Sequence, residues 1–187
     1  MTGERVLRAD AQRNRVRVLD AAESVFAAYG VDVPIEEVAR TAGVGVGTIY
    51  RHFPNKRDLV DAIVTERMRR LAGQARTRAA QPDSLALFEV ADWIVAEATV
   101  KKHLGATTST PASDKPPALQ AIAADLRATL TDLLTAEQRS GTIRSDLEPP
   151  DLLMTLYGLS AAAEHYGWDE TARHRAISLA FEGLRGR

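Results

Sequence analysis

Apolar side chains recur every three or four residues along nearly the whole chain, and this spacing constrains the fold more than any other feature. Near the start it forms one helical stripe, made of Val16, Leu19, Ala22, Val25, Phe26 and Tyr29. No stretch combines alternating apolar and polar residues with the turn signals that a β-hairpin needs. The spacing therefore predicts an all-α protein of about nine helices.

Glycines, prolines and polar clusters divide this pattern into segments. Gly30 and Gly43 stand where a left-handed residue would end a helix, and Pro149 and Pro150 would open one. Residues 104–117 contain prolines and few apolar side chains, which predicts a loop, either disordered or gating a pocket. We expect three parts: an N-terminal part over 1–55, a connecting helix over 56–80, and a C-terminal part over 81–187.

Composition excludes several classes of protein. The 187 residues include no cysteine, so disulfide scaffolds, thiolate metal sites and cysteine nucleophiles are ruled out. The first residues lack the apolar region of a secretory signal, and the most apolar windows are charged or too short to cross a bilayer. We therefore expect a soluble, cytoplasmic protein without membrane partners.

Known catalytic motifs are absent as well. The sequence has no HExxH, no Walker loop and no GxSxG, and Glu164-His165 lack a third metal ligand. Gly43-Val44-Gly45-Val46-Gly47 has neither the spacing of a dinucleotide loop nor a strand before it. The expectation is a protein that is not an enzyme and has no cofactor or metal site.

The segment Ile35–Leu59 carries the strongest functional signal. It reads IEEVARTAGVGVGTIYRHFPNKRDL, which predicts two short helices joined by a tight turn at Gly43-Val44-Gly45. This is the layout of a helix-turn-helix, in which the first helix supports a second one in the major groove of DNA. Apolar positions such as Val38, Ala39 and Ile49 are expected to form its buried corner.

The second of these helices would expose donors and small residues to DNA. Hydroxyl, imidazole and ammonium groups can bind phosphate oxygens, and glycine lets the backbone approach a flat surface closely. The predicted DNA-binding residues are Val46, Gly47, Thr48, Tyr50, Arg51, His52 and Lys56.

An arginine-rich stretch precedes the stripe of the first helix. We expect an arm ahead of that helix, which would either enter the minor groove and hold phosphates or remain a solvated, frayed terminus. Its arginines are Arg5, Arg8, Arg13, Arg15 and Arg17.

Residues 13–60 closely resemble the amino-terminal signature of the tetracycline-repressor (TetR) family of bacterial transcriptional regulators. The matching patterns are Ala21-Ala22…Phe26…Gly30, Ile35…Val38-Ala39…Ala42-Gly43-Val44, Gly47-Thr48-Ile49-Tyr50-Arg51-His52-Phe53 and Lys56…Leu59. The resemblance implies that the positions of Thr48, Tyr50, His52 and Lys56 hold the phosphate backbone, and that those of Val46, Gly47 and Arg51 lie at base edges. It also implies obligate dimers, a carboxy-terminal ligand pocket and repression that a ligand relieves.

Two positions depart from the family pattern. Gly45 replaces the serine that usually caps the second helix of the motif, and Val33 replaces the usual capping threonine or serine of the first. Because Pro34 follows Val33, we expect Asp32 to cap the first helix instead.

The carboxy-terminal part predicts a dimer contact and a pocket. The last two helices, about 150–184, are rich in small residues that permit close crossing, so we expect a homodimer through a four-helix contact. DNA half-sites would then lie ~34–36 Å apart, or somewhat more, on a pseudo-palindromic operator. The candidate contacts to an unidentified small-molecule effector, each with core structure as the alternative role, are Trp93, His103, Tyr157 and His165.

The predicted function is a ligand-responsive DNA-binding regulator, a repressor that a small molecule releases from its operator. Its N-terminal arm and DNA-binding domain would occupy residues 1–55, and its effector-binding and dimerisation domain would occupy residues 81–187. Two alternatives stay open: a helical ligand- or partner-binding protein whose helix-turn-helix no longer binds DNA, and an activator on the same fold.

Overall fold

The computed structural model describes residues 2–81, 83, 85–104 and 116–186, with side chains from residue 13 onward except that of His103. Within these residues there is no strand, and one isolated bridge joins Ile143 to Arg185. The all-α prediction is confirmed. The helices are α1 (Thr2–Tyr29), α2 (Ile35–Ala42), α3 (Val46–His52), α4 (Lys56–Ala79), α5 (Ala86–His103), α6 (Pro117–Arg139), α7 (Pro149–Tyr166) and α8 (Glu170–Leu184).

The described part of the chain forms eight helices, fewer than the nine or so predicted. Each apolar segment of the sequence forms a single helix, and α4 continues through Gly73 without a break. Most of the predicted loop, residues 105–115, lies outside the described residues.

The chain divides into two compact units. The N-terminal unit comprises Met1–Glu66 with His103–Ala106, and the C-terminal unit comprises Arg67–Lys102 with Thr107–Arg187. Helix α4 contributes residues to both units. The finer division at 55 and 80 stays a prediction. None of the helices, as far as they are described, combines the length and apolarity that a membrane crossing requires.

The N-terminal unit has a small core made by α1, α2, α3 and the first half of α4. Its largest fully buried side chains are those of Val18, Phe26, Val38, Ile49, Leu59 and Ile63. The predicted stripe of α1 is buried in its middle, but Val16 and Tyr29 at its ends are exposed. A helix advances 100° per residue, so the ends of a long stripe drift away from the core that its centre faces.

Helix ends in this unit are fixed by few side-chain caps. Asn55 directly precedes α4, and its Oδ1 accepts a hydrogen bond from the Asp58 N–H at 2.9 Å, as an N-cap residue does. Helix α2 has Pro34 as its N-cap and no capping hydrogen bond from a side chain, so the expected role of Asp32 is wrong. Glu36 and Glu37 in the first turn of α2 place negative charge near its positive end.

The C-terminal unit combines a leucine-rich core with buried ion pairs. Leu87, Leu133, Leu152 and Ile177 are among its fully buried side chains. Arg173 Nε donates to Asp92 Oδ1 at 2.7 Å. Arg67 Nη2 likewise donates to Glu97 Oε1 at 2.7 Å. Arg67 is therefore mostly buried against its acidic partner.

Candidate nucleic-acid interface

The turn between α2 and α3 is fixed by backbone geometry. Gly43 has φ +65° and ψ +37°, a left-handed conformation in which a side chain is strained. The N–H of Gly43 donates to Arg40 O at 3.2 Å, and the N–H of Val44 donates to Ala39 O at 3.0 Å. These bonds close the end of α2 and direct the chain into α3.

An arginine of α1 holds the same turn from outside. Arg17 Nη2 donates to Ala42 O at 2.9 Å, so it satisfies a carbonyl at the end of α2. Arg15 places its guanidinium carbon 5.3 Å from the centre of the Phe53 ring. Local spacing gave no signal of either contact, because the partners are distant in sequence.

The predicted arginine arm is therefore corrected. Helix α1 begins at Thr2, so the five arginines lie within the helix and not ahead of it. Arg15 and Arg17 contact protein groups that shape the helix-turn-helix. The side chains of Arg5 and Arg8 lie outside the described residues. Contact of these arginines with DNA stays a prediction.

Helix α3 brings six of the predicted DNA-binding residues together. Ile49 is 1% exposed and anchors the helix on the core, and Phe53 is buried just after its end. Gly47, Tyr50 and Arg51 are exposed, whereas Val46, Thr48 and His52 are half-buried. A short helix that is anchored on one side presents its other side to solvent.

The seventh predicted residue, Lys56, has a structural contact. Its Nζ donates to Val33 O at 2.7 Å and lies 5.7 Å from the centre of the Phe26 ring. An ammonium group has three N–H donors, so this bond leaves two for other acceptors. Lys56 thus ties the loop before α2 to the start of α4 and remains partly exposed.

The predicted effector residues have different surroundings. Trp93 lines an open cavity of about 870 Å³ with Gly73, Thr77 and Arg78. Tyr157 is exposed on α7. His165 is exposed near the end of α7, where its ring meets that of Tyr166 edge to face at 4.7 Å. Among the described side chains, no ring contact or hydrogen bond joins Trp93, Tyr157 and His165. The side chain of His103 lies outside the described part.

Sequence reasoning missed one ionisable group, Glu137 on α6. Its side chain is 3% exposed, and its Oε1 accepts a hydrogen bond from the Leu87 N–H at 2.9 Å. Burial raises the pKa of Glu137 above its usual value, although the Leu87 hydrogen bond opposes this shift. The sequence does contain a clue to this burial. Glu137 follows Leu133 by four residues, so it lies on the same buried stripe of α6.

Two family models match the sequence. The one described as "Bacterial regulatory proteins, tetR family" matches residues 18–63. The one described as "Transcriptional regulator SbtR-like, C-terminal domain" matches residues 81–186. The first match lies within the N-terminal unit, and the second lies largely within the C-terminal unit.

Curated relatives match over the N-terminal unit. The transcriptional regulator SrpR of Pseudomonas putida is 42% identical over 60 residues, which are 32% of this chain and 28% of SrpR. The uncharacterized regulator TtgW, also of Pseudomonas putida, is 42% identical over 60 residues, which are 32% of this chain and 45% of TtgW. The chain thus spans less than half the length of these two relatives.

Solved structures match over almost the whole chain. A TetR regulatory protein from Mycobacterium vanbaalenii has a TM-score of 0.69 and 37% identity, covering 96% of this chain and 99% of that one. The TetR regulator SCO0520 from Streptomyces coelicolor has a TM-score of 0.69 and 28% identity, covering 92% and 98%. The helix-turn-helix geometry, the two family models and these full-length likenesses agree, and the chain belongs to the TetR family of transcriptional regulators, which are DNA-binding proteins and not enzymes.

Proposed function

We propose that this regulator is a homodimeric repressor that holds a pseudo-palindromic operator through α3 and releases it when a small molecule binds. The observation that carries the proposal is α3 itself. Ile49 anchors one side of the helix, and six residues suited to DNA contact share what remains accessible. In a helix-turn-helix, that second helix is the one that enters the major groove.

The residues of α3 have two kinds of role. Thr48, Tyr50 and His52, together with Lys56, carry hydroxyl, imidazole and ammonium groups that suit phosphate oxygens, which fix register without reading sequence. Arg51 is exposed and can donate two hydrogen bonds to a guanine edge. Val46 offers an apolar contact, and Gly47 a close backbone approach.

The exposed faces of α7 and α8 support the dimer. Met154, Tyr157 and Leu179 are 67%, 56% and 69% exposed, which is unusual for apolar side chains on neighbouring helices. Small residues accompany them on these helices, including Gly158 and Gly183. Such a surface suits an isologous contact with a second copy, because small residues permit close helix crossing. Tyr157 fits this contact as well as it fits a ligand pocket.

Release by a ligand requires coupling between two sites. A ligand that prefers a state unable to hold the operator must lower operator affinity by the same coupling free energy, typically ~1–3 kcal/mol. Helix α4 contributes residues to both units and is the candidate connecting element. Titration of the operator complex with candidate ligands tests this step.

Replacing Gly47 with alanine should stabilise the protein and weaken operator binding. An added Cβ meets no atom within 4 Å, and alanine in a helix is about 1 kcal/mol more favourable than glycine. The same methyl group would separate the backbone of α3 from the bases and cost about 1–3 kcal/mol, the scale of one base contact. Urea unfolding and gel-shift titration measure the two effects.

Gly73→Ala in α4 is the matched control for this change. Its Cβ also meets open space, so a similar gain in stability is expected without a change in operator affinity. Undiminished operator binding by Gly47→Ala would show that DNA does not approach α3 at Gly47.

Arg51→Ala and Lys56→Ala should weaken binding in different ways. Arg51→Ala should reduce discrimination between the operator and a variant site by about 1–3 kcal/mol. Lys56→Ala should weaken binding to all sequences and flatten the salt dependence by about one charge. It should also cost about 1 kcal/mol of folding stability, because Val33 O loses its donor. Gel shifts at several salt concentrations, run where both variants are folded, separate these effects. If neither variant changes affinity, α3 is not the reading helix.

A further inference from the structure

The C-terminal unit contains a second cavity, of about 360 Å³, whose lining does not include Trp93, Tyr157 or His165. Three elements supply its walls: the start of α5, the end of α6 with the residues after it, and the end of α8. Its main lining residues are Leu85, Phe88, Glu137, Thr142, Ile143 and Phe181.

Glu137 provides the buried acidic group of this cavity. Its Oε1 caps the first turn of α5 through the Leu87 N–H, where a carboxylate is favourable. The carboxylate has no second hydrogen bond among the described residues. No fully buried side-chain oxygen or nitrogen in the described part lacks a partner. Oε2 is therefore not sealed in the core, and it can be reached from the cavity that Glu137 lines.

The nearby arginines form their ion pairs with other carboxylates. Arg78 is paired with Asp83 and Glu89, whose carboxylates it contacts at 2.5 Å. Arg185, which also lines the cavity, has Nη2 3.4 Å from Glu182 Oε1 and is exposed. Glu137 thus has no ion pair within the described part of the protein, although the charge of Arg78 acts on it from a distance and opposes the rise in its pKa that burial causes.

The other walls combine apolar and aromatic side chains with two polar residues, Thr142 and Arg185. The rings of Phe88 and Phe181 meet edge to face, with their centres 5.3 Å apart. Ile143 is buried beside them, and Leu85 is exposed at the rim. Aromatic faces attract cations, and an apolar enclosure strengthens a charge-assisted hydrogen bond.

We propose that this cavity binds a small organic cation, whose ammonium group donates to Glu137 and whose apolar body lies against Phe88 and Phe181. The volume lies near the lower end of ligand sites, so a compound with one ring fits. A ligand with a carboxylate would be repelled by the carboxylate of Glu137. A neutral alcohol could form only an uncharged hydrogen bond as donor and would lack the attraction between opposite charges. If the bound cation is also the effector, the inference rests on the proposed function. Binding of the cation in this cavity does not depend on that function.

Three probes of similar shape and different charge test the site. They are 2-phenylethylammonium, 2-phenylethanol and 3-phenylpropionate, each titrated into the full chain at neutral pH by calorimetry and by NMR. The ammonium should bind at least about 10-fold more tightly than the other two, the scale of one hydrogen bond to a charged group. Equal affinity of all three probes, or no binding of the ammonium, would overturn the proposal.

Two variants connect the binding to this cavity. Glu137→Gln keeps an oxygen for the Leu87 N–H and removes the charge, so ammonium affinity should fall by about 10-fold or more while the alcohol is unaffected. Leu85→Lys places a cation at the exposed rim and should also weaken binding of the ammonium probe. Ala128→Lys, on the exposed side of α6, should leave that binding unchanged. Melting curves establish that each variant is folded. Unchanged ammonium binding by both Glu137→Gln and Leu85→Lys would place the ligand elsewhere and refute the assignment.

Binding is measured without DNA, so its failure is distinct from failure of the proposed function. If no operator is bound by the protein, the repressor proposal fails and the ammonium site can still be present. If the operator is bound and the three probes are not distinguished, this inference alone fails.

Discussion

Leu179→Asp should convert the protein into monomers and lower operator affinity by at least about 100-fold. Leu179 is 69% exposed on α8, where burial against a second copy would be its main role. A carboxylate buried in an apolar contact costs several kcal/mol, and twofold symmetry places two such charges in one interface. A dimer gains about 10²–10⁴ in affinity from simultaneous contact with two half-sites, and a monomer loses this gain.

Analytical ultracentrifugation and gel-shift titration measure these two consequences on the same samples. Because Leu179 is exposed in the single chain, the helical content of Leu179→Asp should match that of the parent. Ala128→Asp adds the same charge to the exposed side of α6 and should remain dimeric. A dimeric Leu179→Asp with full operator affinity would show that the copies meet through another surface.

Gly43→Val should destabilise the helix-turn-helix by about 2–4 kcal/mol. The left-handed conformation at φ +65° costs an L-residue about 1–2 kcal/mol, and more if it is β-branched. The added Cβ would lie 3.2 Å from Arg17 Nη2, which must shift and so weaken its hydrogen bond to Ala42 O, at about 1 kcal/mol. A domain has about 5–15 kcal/mol of stability in total, so operator binding should also be lost on mild warming.

Gly45→Ser is the control for this prediction. Gly45 has φ −72° and open space around its Cα, so a serine fits, and its hydroxyl can cap α3 for a gain of a few tenths of a kcal/mol. Thermal unfolding, followed by circular dichroism, compares the two variants. Equal midpoints for Gly43→Val and the parent protein would mean that the turn does not require a left-handed residue.

Much of the fold could be predicted from the sequence because each helix carries its own local signal. The 3/4 spacing around Phe26 predicts a helix whose middle is buried, and Gly43 marks the end of α2. Tyr29 was misplaced because the spacing does not reveal where a core ends. Arg17 was assigned to an arm because its partner, Ala42 O, is distant in sequence.

The two candidate sites differ in how far the sequence could predict them. The residues proposed for DNA contact lie within one short helix, so Thr48, Tyr50 and Arg51 could be selected from exposure and chemistry alone. The second cavity combines Phe88, Glu137 and Phe181 from three helices, and only tertiary structure brings such residues together. Charged residues on a buried stripe, such as Glu137, are the local clue to sites of this kind.

The division of the chain into two units has a practical consequence for spectroscopy. The protein has two tryptophans, and both Trp93 and Trp168 belong to the C-terminal unit. Tryptophan fluorescence, excited selectively over tyrosine, therefore reports on the C-terminal unit alone, whereas far-ultraviolet ellipticity reports on every helix. Coincident denaturation midpoints from the two signals would mean that the whole protein unfolds in one cooperative transition. Separated midpoints would mean that the N-terminal unit unfolds independently of the C-terminal unit.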